Sequence, residues 1–273
     1  MRASSVDPVA GRQFQLPIAA LFLLLVTVII KSAWLGDDAY IPIRTIDNLL
    51  NGYGPRWNVD ERVQVFTDPF WTFLIAAFYA VTHEIFLTTI VLSIVTSVAA
   101  VIVLVRYASA SAAAGAAGLV ALVSSKAFVD YATSGLENTL SYLLIGLFSA
   151  ALFGQEITRQ RLRYLILLYS LVGFNRLDLL LMLLPPLAVA GWFCYRTSEV
   201  RFRTLILDGL VFSLPLWGWL VFATIYFGYA LPNTYYAKLN TGIPPIEHLK
   251  QGFLYYINSI NYDPATLLVM ALT

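Results

Sequence analysis

The chain has 273 residues, 59% of them hydrophobic and 12% charged, with a mean hydropathy of +0.74 and a formal net charge of +1. Soluble domains carry about 25% charged residues, so the composition excludes an ordinary soluble enzyme, and the small net charge points to no nucleic-acid partner. The single cysteine, Cys194, excludes an intrachain disulfide and a cysteine metal cluster, and its apolar segment makes it a buried structural thiol.

Taken in order, the first apolar segment covers residues 16–30 behind a short basic stretch with Arg2 and Arg12. It reads as an uncleaved anchor, because no small-x-small cleavage site precedes Asp37 and more spans follow. Residues 70–81, about a dozen, are too few to cross a bilayer and read as a juxtamembrane helix lying in the outer leaflet. Six further spans follow at 85–105, 112–128, 139–153, 164–174, 179–195 and 205–227, and another begins at 267–273. The predicted fold is therefore an all-α polytopic transmembrane protein of about seven complete spans. It forms one module over 1–273, with residues 36–84 as its first extracytoplasmic loop.

Lysine and arginine in short loops orient such a chain. This count puts Arg106, the loop with Arg159, Arg161 and Arg163, and the loop with Arg196, Arg201 and Arg203 on the cytoplasmic side; counting 70–81 as a span would expose both arginine clusters outside. Of sixteen carboxylates, Asp37, Asp38, Asp47, Asp60, Glu61, Asp68, Glu84, Asp130, Glu137, Asp178, Glu247 and Asp263 then face outward. Asp7, Glu156, Glu199 and Asp208 remain inside. An acidic outer face above buried helices is where an extracytoplasmic site would sit.

Three outer segments can build it. The first, residues 36–69, opens on the pair Asp37 and Asp38 at the end of the first span, where ionisable groups are costly and mark a site or pathway. Its Tyr40–Leu50 part carries a helical pattern that the turn residues Asn51, Gly52, Gly54 and Pro55 end. The second, DYATSGLEN at 130–138, offers Ser134 or Gly135 as a cap for the next span, with Glu137 either in its first turn, favoured by the helix dipole, or functional. The third, residues 228–264, contains LPNTYYAKLN and places Lys238 beside Tyr235 and Tyr236. That trio suits a phosphate with a sugar or lipid neighbour, or serves as interfacial anchors. His83 and His248 lie in different outer segments and read as interfacial histidines before metal ligands. No phosphate loop, GxSxG, HExxH or GxGxxG motif is present.

A short inner N-terminus, one span, an acidic pair, a large outer loop with a juxtamembrane helix, and spans joined by short loops together resemble the GT-C superfamily of polyprenyl-phosphate-dependent glycosyltransferases. The run DDAYIPIRTIDNLLNGYGPRWNVDERVQVFTDPFW, the SGLEN stretch and LPNTYYAKL look most like the terminal arabinofuranosyltransferases of the mycobacterial cell wall and their bacterial relatives. The acidic pair is shared by much of the superfamily; the longer run is more specific.

The resemblance implies transfer of a sugar from a polyprenyl-phosphate donor to a glycan or lipid hydroxyl on the outer face of the bacterial cell membrane, among membrane lipids. Asp37 and Asp38 match the family's acidic pair, with Asp37 the choice for general base and Asp38 orienting the acceptor or holding a divalent cation. Metal dependence varies in the superfamily and stays open. Arg44, Arg62 and Lys238 are the external cations for the leaving phosphate. Arg176 either pairs with Asp178 at a short outer turn, the preferred reading, or meets the donor phosphate. Such enzymes are longer and often end in a soluble domain, so the resemblance implies a chain truncated at its C-terminus. A transporter or flippase of lipid-linked sugars is the alternative function, predicting polar residues within spans and repeat symmetry; neither stands out in the sequence. A catalytically inactive scaffold of the same fold is a third.

Overall fold

The computed structural model describes residues 8–153, 156–197, 201–239 and 242–272, excepting the side chains of 8–14, 108, 239 and 272. Arg2, Asp7, Glu199 and the side chain of Arg12 lie outside the described residues. Every regular element among the described residues is helical. In chain order these are α1 (Pro8–Lys31), α2 (Tyr40–Leu50), α3 (Pro69–Thr82), α4 (Ile85–Val103), α5 (Ala112–Ser124), α6 (Lys126–Tyr131) and α7 (Asn138–Phe153). They continue as α8 (Arg159–Asn175), α9 (Leu180–Thr197), α10 (Phe202–Phe212), α11 (Leu214–Phe227), α12 (Asn233–Leu239), α13 (Pro245–Tyr262) and α14 (Pro264–Leu272). Single 3₁₀ turns cover Asp37–Ala39 and Leu177–Leu179, and α4 runs into a π-helical turn at Leu104–Ala108.

The centre is built by α4, α7 and α8. Helix α4 buries Thr88, Thr89, Ser93, Thr96 and Ser97, small polar residues that let helices approach closely and hydrogen-bond across the interface, as Ser97 does to the carbonyl of Ala132 at 2.9 Å. Ile46, Trp71, Ile75, Leu140, Leu144, Phe148, Leu165 and Val172 join α2 and α3 to α7 and α8 in the main apolar cluster, which also buries Cys194. Leu25, Ile29, Val101, Leu119 and Phe128 form a second cluster joining α1, α4, α5 and α6. The outward faces remain apolar: Val81, Leu181 and Ile225 are 80%, 78% and 79% exposed. Apolar exposure on that scale is costly in water and is the solvated face of a helix in lipid.

Among the described residues, two helices are long and apolar enough to cross a membrane, Ile85–Tyr107 and Leu177–Thr197. A third is added if the bent pair Phe202–Phe212 and Leu214–Phe227 is counted as one span. The all-helical membrane character is as the sequence predicts, while four of the apolar helices, Gln15–Lys31, Pro69–Thr82, Ala112–Ser124 and Asn138–Phe153, are shorter.

Several boundaries differ from the sequence expectation. The span expected at 112–128 breaks at Ser125, whose hydroxyl accepts from the N–H of Phe128 and so starts α6 as a separate helix. The span expected at 205–227 bends by 55° at Ser213, directly before Leu214 and Pro215, since proline cannot donate the backbone bond that would continue a helix. The three arginines expected in a loop sit in the first turns of α8, capped by the Thr158 hydroxyl. The third outer segment contains the 18-residue α13, to which the sequence reading assigned no helix.

Charge gathers at the two ends of the α7 and α8 pair. At one end, Arg161 donates to the carbonyls of Ala150 and Ala151 that end α7, and Arg159 and Arg163 hold Asp208 at 2.7 and 2.9 Å. At the other, Glu137 precedes α7 and Arg176 follows α8, paired at 3.0 Å.

Candidate functional site

The end of the bundle that carries Glu137 is assembled by backbone bonds between distant segments. The turn holding Asp37 and Asp38 is tied to the 131–137 loop through Gly36 N–H to the Ser134 carbonyl at 2.8 Å, and Trp34 reinforces it by donating its indole N–H to the Asp130 carbonyl at 2.9 Å. Trp71, fully buried in α3, donates its indole N–H to the Gly135 carbonyl at 2.8 Å. Asn233 N–H donates to the Gln64 carbonyl at 2.9 Å and so brings α12 to the loop before α3.

Gly135 is required at its position. Its φ of +80° is disfavoured for residues with a side chain, and an added Cβ would stand 2.7 Å from Leu35 Cδ2 and 2.9 Å from Ala39 Cβ. Gly135→Ala is expected to destabilise the protein by more than about 1 kcal/mol and to loosen the acidic turn with it, read as a lowered unfolding midpoint in detergent.

These tethers enclose a cleft of two adjoining cavities. The smaller, about 260 Å³, is lined by Asp38, Thr67, Asp68, Glu137, Thr234 and Lys238, with Ile41, Pro42, Val65, Phe66 and Leu136 as apolar wall. The larger, about 530 Å³, shares Thr67, Glu137, Thr234 and Lys238 and adds Arg176, Asp178 and Tyr235, with Leu177, Leu181, Leu231 and Pro232 as apolar wall. A cavity of about 810 Å³ at the opposite end is bigger but, among the described residues, has Glu156 as its sole carboxylate beside Arg106 and Arg161. Acid and base groups in hydrogen-bonding range meet in the first cleft, so the chemistry favours it over size.

Glu137 and Arg176 form its fixed ion pair. The Arg176 guanidinium also donates to Asp178 at 2.9 Å and to the Asn138 side chain at 3.3 Å, while Asn175, fully buried, donates to the Glu137 carbonyl at 3.1 Å. Charge-assisted bonds of this kind hold a side chain in one orientation. Glu137 stands just before α7, not in its first turn, and its carboxylate faces Arg176. Arg176 thus pairs with Asp178 and also lines the cleft.

Asp68 is the group the sequence reading missed. It is 4% exposed, its Oδ1 accepts a long 3.5 Å bond from Thr72, and its Oδ2 has no partner among the described residues. Burial first, and the nearby Glu137 carboxylate second, hold its pKa well above the usual carboxylate range, offset in part by the Thr72 hydroxyl and nearby backbone N–H groups. The folded protein therefore keeps a proton that the unfolded chain releases near its reference value of about 3.9. Stability falls as pH rises from there towards the raised folded value, and the full penalty persists above it. Asp68→Asn, with no proton to lose, is expected to flatten that decline, measured as the unfolding midpoint against pH. The one local signal was that Asp68 directly precedes Pro69, where a side chain is held against a helix start; burial was not legible.

Of the residues expected at the site, Asp38, Glu137, Arg176, Tyr235 and Lys238 line the cleft. Asp37 does not line it; its Oδ1 accepts the backbone N–H of Asp38 at 3.0 Å. Tyr236 packs against two neighbouring rings, tilted to Tyr229 at 5.2 Å and edge-on to Tyr235 at 5.4 Å. Arg44 lies over Trp57 at 4.7 Å and donates to its carbonyl, and Arg62 lies over Tyr226 at 5.0 Å, so both brace the first loop and neither lines the cleft. Among the described residues no three His, Cys, Asp or Glu side chains group so as to hold a metal ion.

No family model matches the chain, and no solved structure matches it significantly. Over 75% of its length the chain is 29% identical to a terminal beta-(1→2)-arabinofuranosyltransferase of Corynebacterium glutamicum, covering 33% of that protein. Over 42% of its length it is 30% identical to the protein of the same name from Mycobacterium tuberculosis, covering 20% of it. The chain thus spans about a third or less of the length of these curated relatives, and its similarity is to proteins named as arabinofuranosyltransferases.

Proposed function

We propose that this chain carries the catalytic cleft of a membrane glycosyltransferase. It moves a sugar from a polyprenyl-phosphate donor to a hydroxyl of an envelope glycan or lipid on the extracytoplasmic face. Arabinofuranose is the sugar that the relatives' names suggest. The observation that carries this reading is the convergence of Asp38, Glu137, Arg176 and Lys238, from four separate chain segments, on one cleft with an apolar wall.

Chemically, the acidic pair takes the acceptor proton, and Asp38 is the member that faces the cavity. The acceptor oxygen forms a bond to the anomeric carbon as that carbon's bond to phosphate oxygen breaks, and the phosphate leaves with the electron pair. Arg176 and Lys238 are preorganised cations for the charge that develops on it. Leu177, Leu181, Leu231 and Pro232 offer the isoprenoid an apolar path towards lipid. In the accompanying topology the N-terminus is cytoplasmic and the cleft lies outside, which sets the arginines of α8 on the cytoplasmic side.

The test is transfer of labelled sugar from synthetic polyprenyl-phosphate donors to glycan and lipid acceptors by the purified chain in lipid discs. Labelled product supports the reading. Donor that crosses liposome membranes with no product formed would replace it with lipid-linked sugar transport.

A further inference from the structure

We infer that the smaller cavity is the subsite for the donor's sugar ring and that Asp68 reads that ring through its hydroxyls; this rests on the glycosyl-transfer reading above. Asp68 Oδ2 is buried on the wall of this cavity without a partner among the described residues. Leaving such an oxygen unpaired forfeits the hydrogen bonds it makes in water, and an uncompensated buried acceptor calls for an explanation. Helix capping does not provide one, since Asp68 precedes α3 yet makes no side-chain capping bond there. A ligand hydroxyl donating to Oδ2 does.

The size and lining of the cavity narrow the ligand. At about 260 Å³ it falls below the roughly 300–1,000 Å³ of pockets for drug-sized molecules, which suits one small ring. Around Asp68 stand the carboxylates of Asp38 and Glu137 and the hydroxyls of Thr67 and Thr234, a set of acceptors and donors matched to a polyhydroxylated ring. Phe66 adds an apolar surface for the ring's C–H face. The subsite shares Thr67, Glu137, Thr234 and Lys238 with the larger cavity, so a phosphate held by Lys238 and Arg176 leaves its sugar beside Asp38 and Asp68. Because burial favours the protonated acid, Asp68 can donate a hydrogen bond to one sugar oxygen while accepting from another.

The experiment compares binding of two probes to the full chain in lipid discs: a short polyprenyl-phosphate pentofuranose and the same polyprenyl phosphate without sugar. The wild-type chain is expected to bind the sugar-bearing probe about tenfold more tightly, the equivalent of about 1.4 kcal/mol. In Asp68→Leu, which keeps the branching at Cγ with a somewhat larger side chain and removes its hydrogen bonds, that preference should fall to near unity while the bare probe binds as before, which also reports that the variant is folded. Asp68→Asn, still a donor and acceptor, should keep most of the preference, and it carries the test if the leucine variant does not fold: a preference lost in a folded asparagine variant overturns the donor-and-acceptor role. A preference that survives in Asp68→Leu overturns the inference and leaves glycosyl transfer standing. A wild-type chain that binds neither probe overturns the glycosyl-transfer reading, and the subsite with it.

Discussion

Asparagine in place of Asp38 is expected to lower sugar transfer by about 10²–10⁴-fold, the range for removing a positioned general base, with donor binding little changed. Asp38 lines the cavity beside Asp68, Glu137 and Lys238, and its amide analogue keeps the shape while losing the basicity. Asp37→Asn should cost about tenfold or less, because the amide oxygen can still accept the Asp38 N–H that Asp37 Oδ1 accepts at 3.0 Å. Single-turnover transfer with each variant separates the two. The larger loss in Asp37→Asn would return the base to Asp37, the residue chosen from sequence.

Trp71→Ala carries the largest expected loss of stability, about 3–5 kcal/mol. Trp71 is fully buried among the side chains joining α2, α3, α7 and α8, so truncation leaves a cavity that packed helices fill only in part. It also removes the donor to the Gly135 carbonyl, which holds the loop against which the acidic turn is tied. Trp71→Phe retains most of the volume and should cost about 1–2 kcal/mol, mostly the lost hydrogen bond. Thermal unfolding of the three proteins in one detergent measures both differences, and transfer activity should fall with the 131–137 loop even where the fold survives.

Helix α2 was legible to the residue from its apolar spacing and the turn residues after Leu50, because both signals are local. The helix at 70–81 was legible for the same reason and extends by one residue at each end to Pro69–Thr82. The break at Ser125 and the bend at Ser213 were hidden inside apolar runs, where hydropathy cannot distinguish a continuous helix from two. Arg44 and Arg62 show the limit for site residues. Their charge and placement fit a phosphate role, but Trp57 and Tyr226 compete for their guanidinium groups, and Tyr226 comes from the far end of the chain.

The sequence by itself determined that this is a helical membrane chain and named most of the polar segments that meet in the cleft, because composition, apolar periodicity and turn chemistry depend on near neighbours. Only the tertiary structure decided which charges face the cleft and which are spent elsewhere. Asp68 acquires its proton-holding character from burial and from the nearby Glu137 carboxylate, and Arg176 acquires its orientation from Glu137 across a helix pair. Desolvation and ion pairing are properties of the packed neighbourhood, set by contacts such as Trp71 with Gly135, 64 residues apart.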